Sequence, residues 1–157
     1  MKQALIHTLP LIFMLSTLTC HANNDRIIGP QAAARTYAQN YKDIVLARCV
    51  ATAYEKDRPE LAMDVQGSAI ALGDWTYYER GKSYDAINAI VSRYLARHYY
   101  LNPSFKSDDL QGGRFHFHFL KCLDLYHSEE LETQVKQFVG NPTRTYRQDK
   151  SPPINTK

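Results

Sequence analysis

Phe119-Leu-Lys-Cys-Leu-Asp-Leu-Tyr-His-Ser-Glu-Glu-Leu-Glu132 is the stretch whose reading decides the fold. With Phe115 upstream, Phe119, Cys122, Leu123 and Tyr126 recur at the three-and-four spacing of one helix face. Ser128 then has the chemistry of an N-cap, and Glu129 and Glu130 fall in the first turn, where the helix dipole favours anions. Leu131, Val135, Phe138 and Val139 form the stripe of a second helix, which stops at Gly140-Asn141-Pro142. A cysteine in the middle of a buried stripe asks for a partner elsewhere in the chain.

The rest of the chain also reads as helices. Residues 31–54 place Tyr37, Tyr41, Ile44, Val45, Cys49 and Thr52 on one face. Residues 58–72 give Leu61, Val65, Ala69 and Leu72 and stop at Gly73-Asp74. Residues 82–100 give Tyr84, Ile87, Val91, Tyr94, Leu95 and His98, with Ser83 or Asp85 able to cap. No β-branched run alternates with polar residues over a strand's length, and no Asn-Gly or Asp-Gly hairpin turn occurs. Phe115-His-Phe-His-Phe alternates briefly, yet it flows into the helical stripe as a first turn. The expectation is an all-α fold, a compact bundle of four to six helices.

Residues 1–22 read as a secretory signal: Lys2 as a basic start, an apolar core from Leu9 to Leu18, and Cys20-His21-Ala22 before the cleavage point. That core is too short for a permanent membrane anchor. Thr17 and Thr19 sit where lipid-attachment signals want smaller or aliphatic residues, which argues against acylation of Cys20. The expected mature chain is exported and free of the membrane. It has one helical domain over 23–142 and a disordered, flexible tail over 143–157, which carries Arg144, Arg147, Lys150, Pro152 and Pro153. Losing Lys2 takes the formal charge from +3 to +2, too weak a bias to imply nucleic acid. Cys49 and Cys122 are then an even count in an oxidising compartment, so they are expected to pair.

The search for chemistry is largely negative. His116 and His118 on a helix point apart and read as two surface histidines with no third metal ligand at a suitable spacing. Asp124 and His127 can touch at i, i+3, but beside Glu129 and Glu130 they read as a capping or surface pair. No nucleophile motif, phosphate loop or zinc signature occurs, so neither catalysis nor a cofactor is expected. What stands out is aromatic and polar loop material. One loop runs Gly73–Gly81 and contains Asp74, Trp75, Tyr77, Tyr78 and Glu79. The other runs Tyr99–Gly113 and contains Lys106, Ser107, Asp108, Asp109 and Gln111. These residue types carry protein–protein contacts, so these positions are the expected partner-binding residues.

Several blocks stand in a telling order: Leu-Ala-Arg-Cys-Val (46–50), Ala-Leu-Gly-Asp (71–74), Ile-Val-Ser-Arg-Tyr-Leu-Ala (90–96), and the block from Phe117 to Leu131 with Leu-Lys-Cys-Leu-Asp-Leu-Tyr-His-Ser at its centre. Over roughly residues 40–139 this order resembles the immunity proteins that neutralise the fourth family of type VI secretion amidase effectors. The chain departs from that pattern in a longer stretch from Tyr99 to Phe115 and in its Pro/Arg tail. The resemblance implies an exported helical inhibitor, typically a homodimer. Such an inhibitor occludes the groove of a papain-like (NlpC/P60-type) peptidoglycan amidase in the periplasm and has no catalytic residue of its own. The alternative is a periplasmic helical inhibitor or binding module for a different cell-wall hydrolase.

Overall fold

The computed structural model describes residues 29–99 and 115–150. Among these are six α-helices and no strand: α1 (Tyr37–Tyr54), α2 (Pro59–Asp74), α3 (Arg80–Leu95), α4 (His118–Tyr126), α5 (Glu129–Phe138) and α6 (Tyr146–Lys150). The all-α expectation holds. The expected signal segment lies outside the described residues.

α1 begins later than its periodicity suggests. Gln31–Ala34 makes a separate 3-10 turn and Arg35 is extended, because Thr36 starts the helix with a capping box. The Thr36 hydroxyl accepts from the Gln39 amide at 3.2 Å, and the Gln39 side chain accepts from the Thr36 amide at 3.0 Å. The two amides between them find carbonyls from the far end of the chain. Tyr37 N donates to Arg144 O at 2.8 Å and Ala38 N donates to Pro142 O at 3.0 Å. The unpaired donors that a helix start creates are thus satisfied.

The core forms around α1. Tyr37, Tyr41, Val45 and Cys49 pack with Ile87, Ile90, Val91 and Tyr94 of α3, Cys122 and Leu125 of α4, and Leu131, Val135 and Phe138 of α5. Gln134 is buried among them and is paired on both sides: Tyr41 donates to it at 3.3 Å and it donates to Ala86 O at 3.1 Å. α2 makes its principal contact with α1, and its buried residues, Ala62, Ala69 and Gly73, are all small. Cys49 and Cys122 form a disulfide across 73 positions, with Cα atoms 5.7 Å apart and both residues fully buried.

Three local expectations shift. α3 starts at Arg80 rather than 82, and neither Ser83 nor Asp85 caps it. Glu79 N is held by Phe138 O at 3.0 Å, so the chain turns into the helix earlier, and Ser83 ends fully buried in the second turn. The helix ends at Leu95, where the Lys121 ammonium donates to Leu95 O at 2.9 Å and closes one terminal carbonyl. α4 starts at His118, after Phe117 adopts a left-handed backbone (φ 53°). Its buried face is Lys121, Cys122 and Leu125, leaving Phe115 and Phe119 about half exposed. The disulfide fixes the rotation of α4, and that rotation turns Leu125 inward in place of the phenylalanines.

α5 matches the reading of the sequence: the Ser128 hydroxyl accepts from Leu131 N at 3.1 Å, and Leu131, Val135, Phe138 and Val139 are buried. Within the segment expected to be a flexible tail, Tyr146–Lys150 forms α6. It is anchored by a Tyr37–Asp149 hydrogen bond of 2.7 Å and by the Tyr146 ring against Trp75. Residues 151–157 lie outside the described residues.

The disulfide yields the first prediction. Cys49→Ala is expected to lower unfolding stability by about 2–5 kcal/mol in urea titration, and the mature protein should show no alkylatable thiol under non-reducing conditions. Two reactive thiols in the folded, exported protein would contradict the pairing.

Candidate functional site

The loop between α2 and α3 is held by elements distant in sequence. Gly140 N donates to Tyr77 O at 3.1 Å, and Tyr78 pairs with Val139 in an isolated antiparallel bridge. The buried Asn40 amide donates to Trp75 O at 3.3 Å and to Ala32 O at 2.8 Å. Thr76 turns its hydroxyl back to Leu72 O at 2.7 Å. A segment pinned at this many points presents its side chains in fixed directions.

Those directions divide the aromatic residues. Trp75 meets the Tyr146 ring edge-on at 4.9 Å, and Tyr78 meets the core ring of Tyr41 edge-on at 5.4 Å. Both rings are committed to packing. Tyr77 is different: it is 67% exposed, with its ring 6.5 Å from that of Tyr37 and lying over the backbone of Gly140. A Cβ at position 140 would stand 2.5 Å from two ring carbons, so glycine is what allows this close approach.

Two clefts flank Tyr77. One of about 250 Å³ lies against Gln137, Phe138 and Val139. The other, of about 460 Å³, is walled by Tyr37, Asp74, Arg80, Tyr146, Asp149 and Lys150. Asp74 pairs with Arg80 at 3.3 Å and Glu79 with Lys82 at 2.8 Å, all on exposed side chains. Such pairs are screened by water and exchange partners at little cost. Exposed aromatic surface ringed by both signs of charge is suited to protein contact rather than to bond-making chemistry.

Of the residues expected to bind a partner, the structure brings Asp74, Tyr77 and Glu79 to one exposed face and uses Trp75 and Tyr78 as supports beneath it. Lys106, Ser107, Asp108, Asp109 and Gln111 lie outside the described residues. The sequence reading missed Tyr37, Arg80, Asn141, Tyr146, Asp149 and Lys150 as parts of this face. The one available signal was Tyr146, an aromatic residue in an otherwise polar tail.

The remaining candidates resolve differently from their reading on the sequence. His116 and His118 do not point apart: His116 precedes α4, and the two rings stack at 5.3 Å and 23°. Burial, then the nearby Lys121, lowers the His118 pKa, and its Nδ1 is buried without a hydrogen-bond partner. Asp124 accepts from the Tyr99 hydroxyl rather than pairing with His127, whose ring meets Tyr126 edge-on at 5.1 Å. Among the described residues no group of three or more His, Cys, Asp or Glu is arranged to hold a metal ion, and no helix is long and apolar enough to cross a membrane.

The docking of α6 is expected to depend on pH. Asp149 is held below its ordinary value, first by the Tyr37 hydroxyl and then by Arg144. Tyr37 is pushed up to about 12, by burial first and then by Asp149. A lowered carboxylate stabilises above its ordinary pKa, and that contribution is lost as pH falls through the lowered value. A raised tyrosine stabilises below its ordinary pKa, and its contribution is lost as pH rises towards about 12. Trp75, the single tryptophan, packs on α6 and should report both losses by fluorescence. Asp149→Asn should remove the acid step, and an unchanged acid step in that variant would exclude this assignment.

Residues 39–135 match the profile of the Tai4 family, described as type VI secretion system amidase immunity protein. A solved structure described as "New Type VI-secreted toxins and self-resistance proteins in Serratia marcescens" superposes with a TM-score of 0.66 at 28% identity. The match covers 80% of this chain and 94% of that one. A search of curated proteins finds no match.

Proposed function

The chain belongs to the Tai4 family of type VI secretion system amidase immunity proteins, and on that premise we propose that it protects its producer by binding an NlpC/P60-type peptidoglycan amidase and filling the enzyme's catalytic groove. In this reading residues 1–22 export it, it acts in the periplasm as a homodimer, and it inhibits by occlusion with no chemistry of its own. The observation that carries the reading, beyond the family, is the fixed and exposed Tyr77 on a face pinned to the core. Inhibition by occlusion favours a preorganised surface, because ordering a loop during binding costs affinity. Asp74, Tyr77 and Glu79 are the proposed contacts on this face, with Trp75 and Tyr78 holding the loop in position. Lys106, Ser107, Asp108, Asp109 and Gln111 are proposed to contribute from the second loop.

Inhibition of the cognate type VI amidase effector tests the reading. Tyr77→Ala is expected to weaken inhibition at least tenfold, about 1.4 kcal/mol, with little change in thermal stability because the ring is largely exposed. Gly140→Ala displaces the same ring from beneath and should reproduce the loss. Replacing residues 106–111 with a Gly/Ser linker should also weaken inhibition at least tenfold. Failure of the unmodified protein to inhibit that amidase would sink the reading itself. If both Tyr77→Ala and Gly140→Ala inhibit like the parent, the Tyr77 face is not the contact.

A further inference from the structure

α2 has an inner and an outer face, and only the inner one is explained by the fold. Ala62, Ala69 and Gly73 are the buried residues of α2. Roughly a third of a turn round the helix from them, Met63, Gly67, Ile70 and Asp74 fall at i, i+4, i+7 and i+11, one narrow line along the helix. Met63 is 74% exposed and Ile70 60% exposed. Among the described residues neither side chain is covered: Met63 borders an open cleft with Arg48, Thr52 and Tyr84, and Ile70 projects outward.

Gly67 strengthens the point independently. It sits in the interior of a regular helix, where glycine is unfavourable relative to alanine. No turn or neighbour requires it: a Cβ there would meet nothing within 4 Å. A glycine placed between two exposed apolar side chains, with open space above it, permits another surface to come close to the helix backbone.

The charges indicate what kind of surface. α2 carries Glu60, Asp64 and Asp74 and no lysine or arginine. Two copies of α2 packed against each other would bring carboxylates together with no cation on either helix. A partner with basic residues at the edge of an apolar groove matches this pattern. The line also runs into the face already described, because Asp74 ends it and walls the cleft beside Tyr77. From Met63 to Asp74 the helix rises about 16 Å, about three turns, the span of a helix-in-groove contact.

We propose that α2 lays its outer face, Met63, Gly67 and Ile70, lengthwise into a basic-rimmed apolar groove on the amidase, as a second grip continuous with Tyr77; this rests on the amidase-inhibitor reading above. The proposal separates folding from binding at one residue. Gly67→Gln should fold with a Tm equal to or above that of the parent, because a better helix former enters open space. It should nevertheless inhibit the cognate amidase at least tenfold less well. Met63→Ser with Ile70→Ser is the second variant, expected to keep its circular dichroism spectrum and to lose inhibition to a similar degree. Glu60→Lys with Asp64→Lys should slow association at least tenfold at low salt, with the difference shrinking as salt rises. A stable Gly67→Gln protein that inhibits like the parent overturns the proposal. So does a charge-reversed variant with unchanged association. If light scattering shows that Gly67→Gln is monomeric where the parent is a dimer, and the monomer binds amidase as tightly as the parent, the face belongs to a second copy and the proposal fails. If the parent protein does not inhibit the amidase, the amidase-inhibitor reading fails, and this grip with it.

Discussion

α1 has to be covered on nearly every side, and the rest of the structure follows from that constraint. Of its residues from Tyr37 to Tyr54, only Gln39 and Thr52 are exposed. A helix apolar around most of its circumference is stable only when other elements surround it. α2, α3, α4 and α5 do so, and the disulfide at Cys49 ties α4 to it permanently. Surrounding the helix also places its polar groups out of reach of water. Tyr41 is then matched with Gln134, and the Asn40 side-chain nitrogen with the carbonyls of Ala32 and Trp75, while among the described residues Asn40 Oδ1 stays buried without a partner.

The same requirement at the N-terminus of α1 shapes the face proposed to meet the amidase. The amides of Tyr37 and Ala38 take carbonyls from Arg144 and Pro142, so the chain after α5 returns across the start of α1. That return puts Gly140 under Tyr77 and Tyr146 against Trp75. The face with the exposed tyrosine is therefore a by-product of satisfying a helix end. It is anchored to the core by backbone hydrogen bonds rather than by its own loop, which suits a surface that binds without reorganising.

Charge plays a secondary part in holding the fold. The pairs Arg80–Asp74 and Lys82–Glu79 are exposed and contribute little to folding. Lys121 is the exception. It is buried beneath the end of α3, with its ammonium on Leu95 O and 5.9 Å from the Tyr99 ring centre. It links α3 to the disulfide-bearing helix at the point where the chain leaves the core.

How much of this was legible in the sequence depends on the range of the interaction. The helical class, the Ser128 cap, the α5 stripe and the stop after Gly73 were readable because they arise from residues three or four apart. The pairing of Cys49 with Cys122 was readable because reading Cys20 as part of an export signal leaves two cysteines and one choice. The start of α1 at Tyr37 rather than 31 was also written locally, in Thr36 and Gln39, although periodicity alone hid it. The rotation of α4 was not legible: Phe119 and Leu125 are both apolar, and only the position of Cys122 against α1 decides which turns inward. Nor was the difference between Trp75, Tyr77 and Tyr78, three aromatic residues in one loop that sequence cannot rank. Tertiary structure ranked them by supplying Tyr146 and Tyr41 as close edge-on partners for two, and for the third the bare backbone of Gly140 with the Tyr37 ring 6.5 Å away. Contacts across more than 60 positions, such as Tyr37 to Asp149, leave no periodic trace in the chain, because they depend on where a whole helix comes to rest.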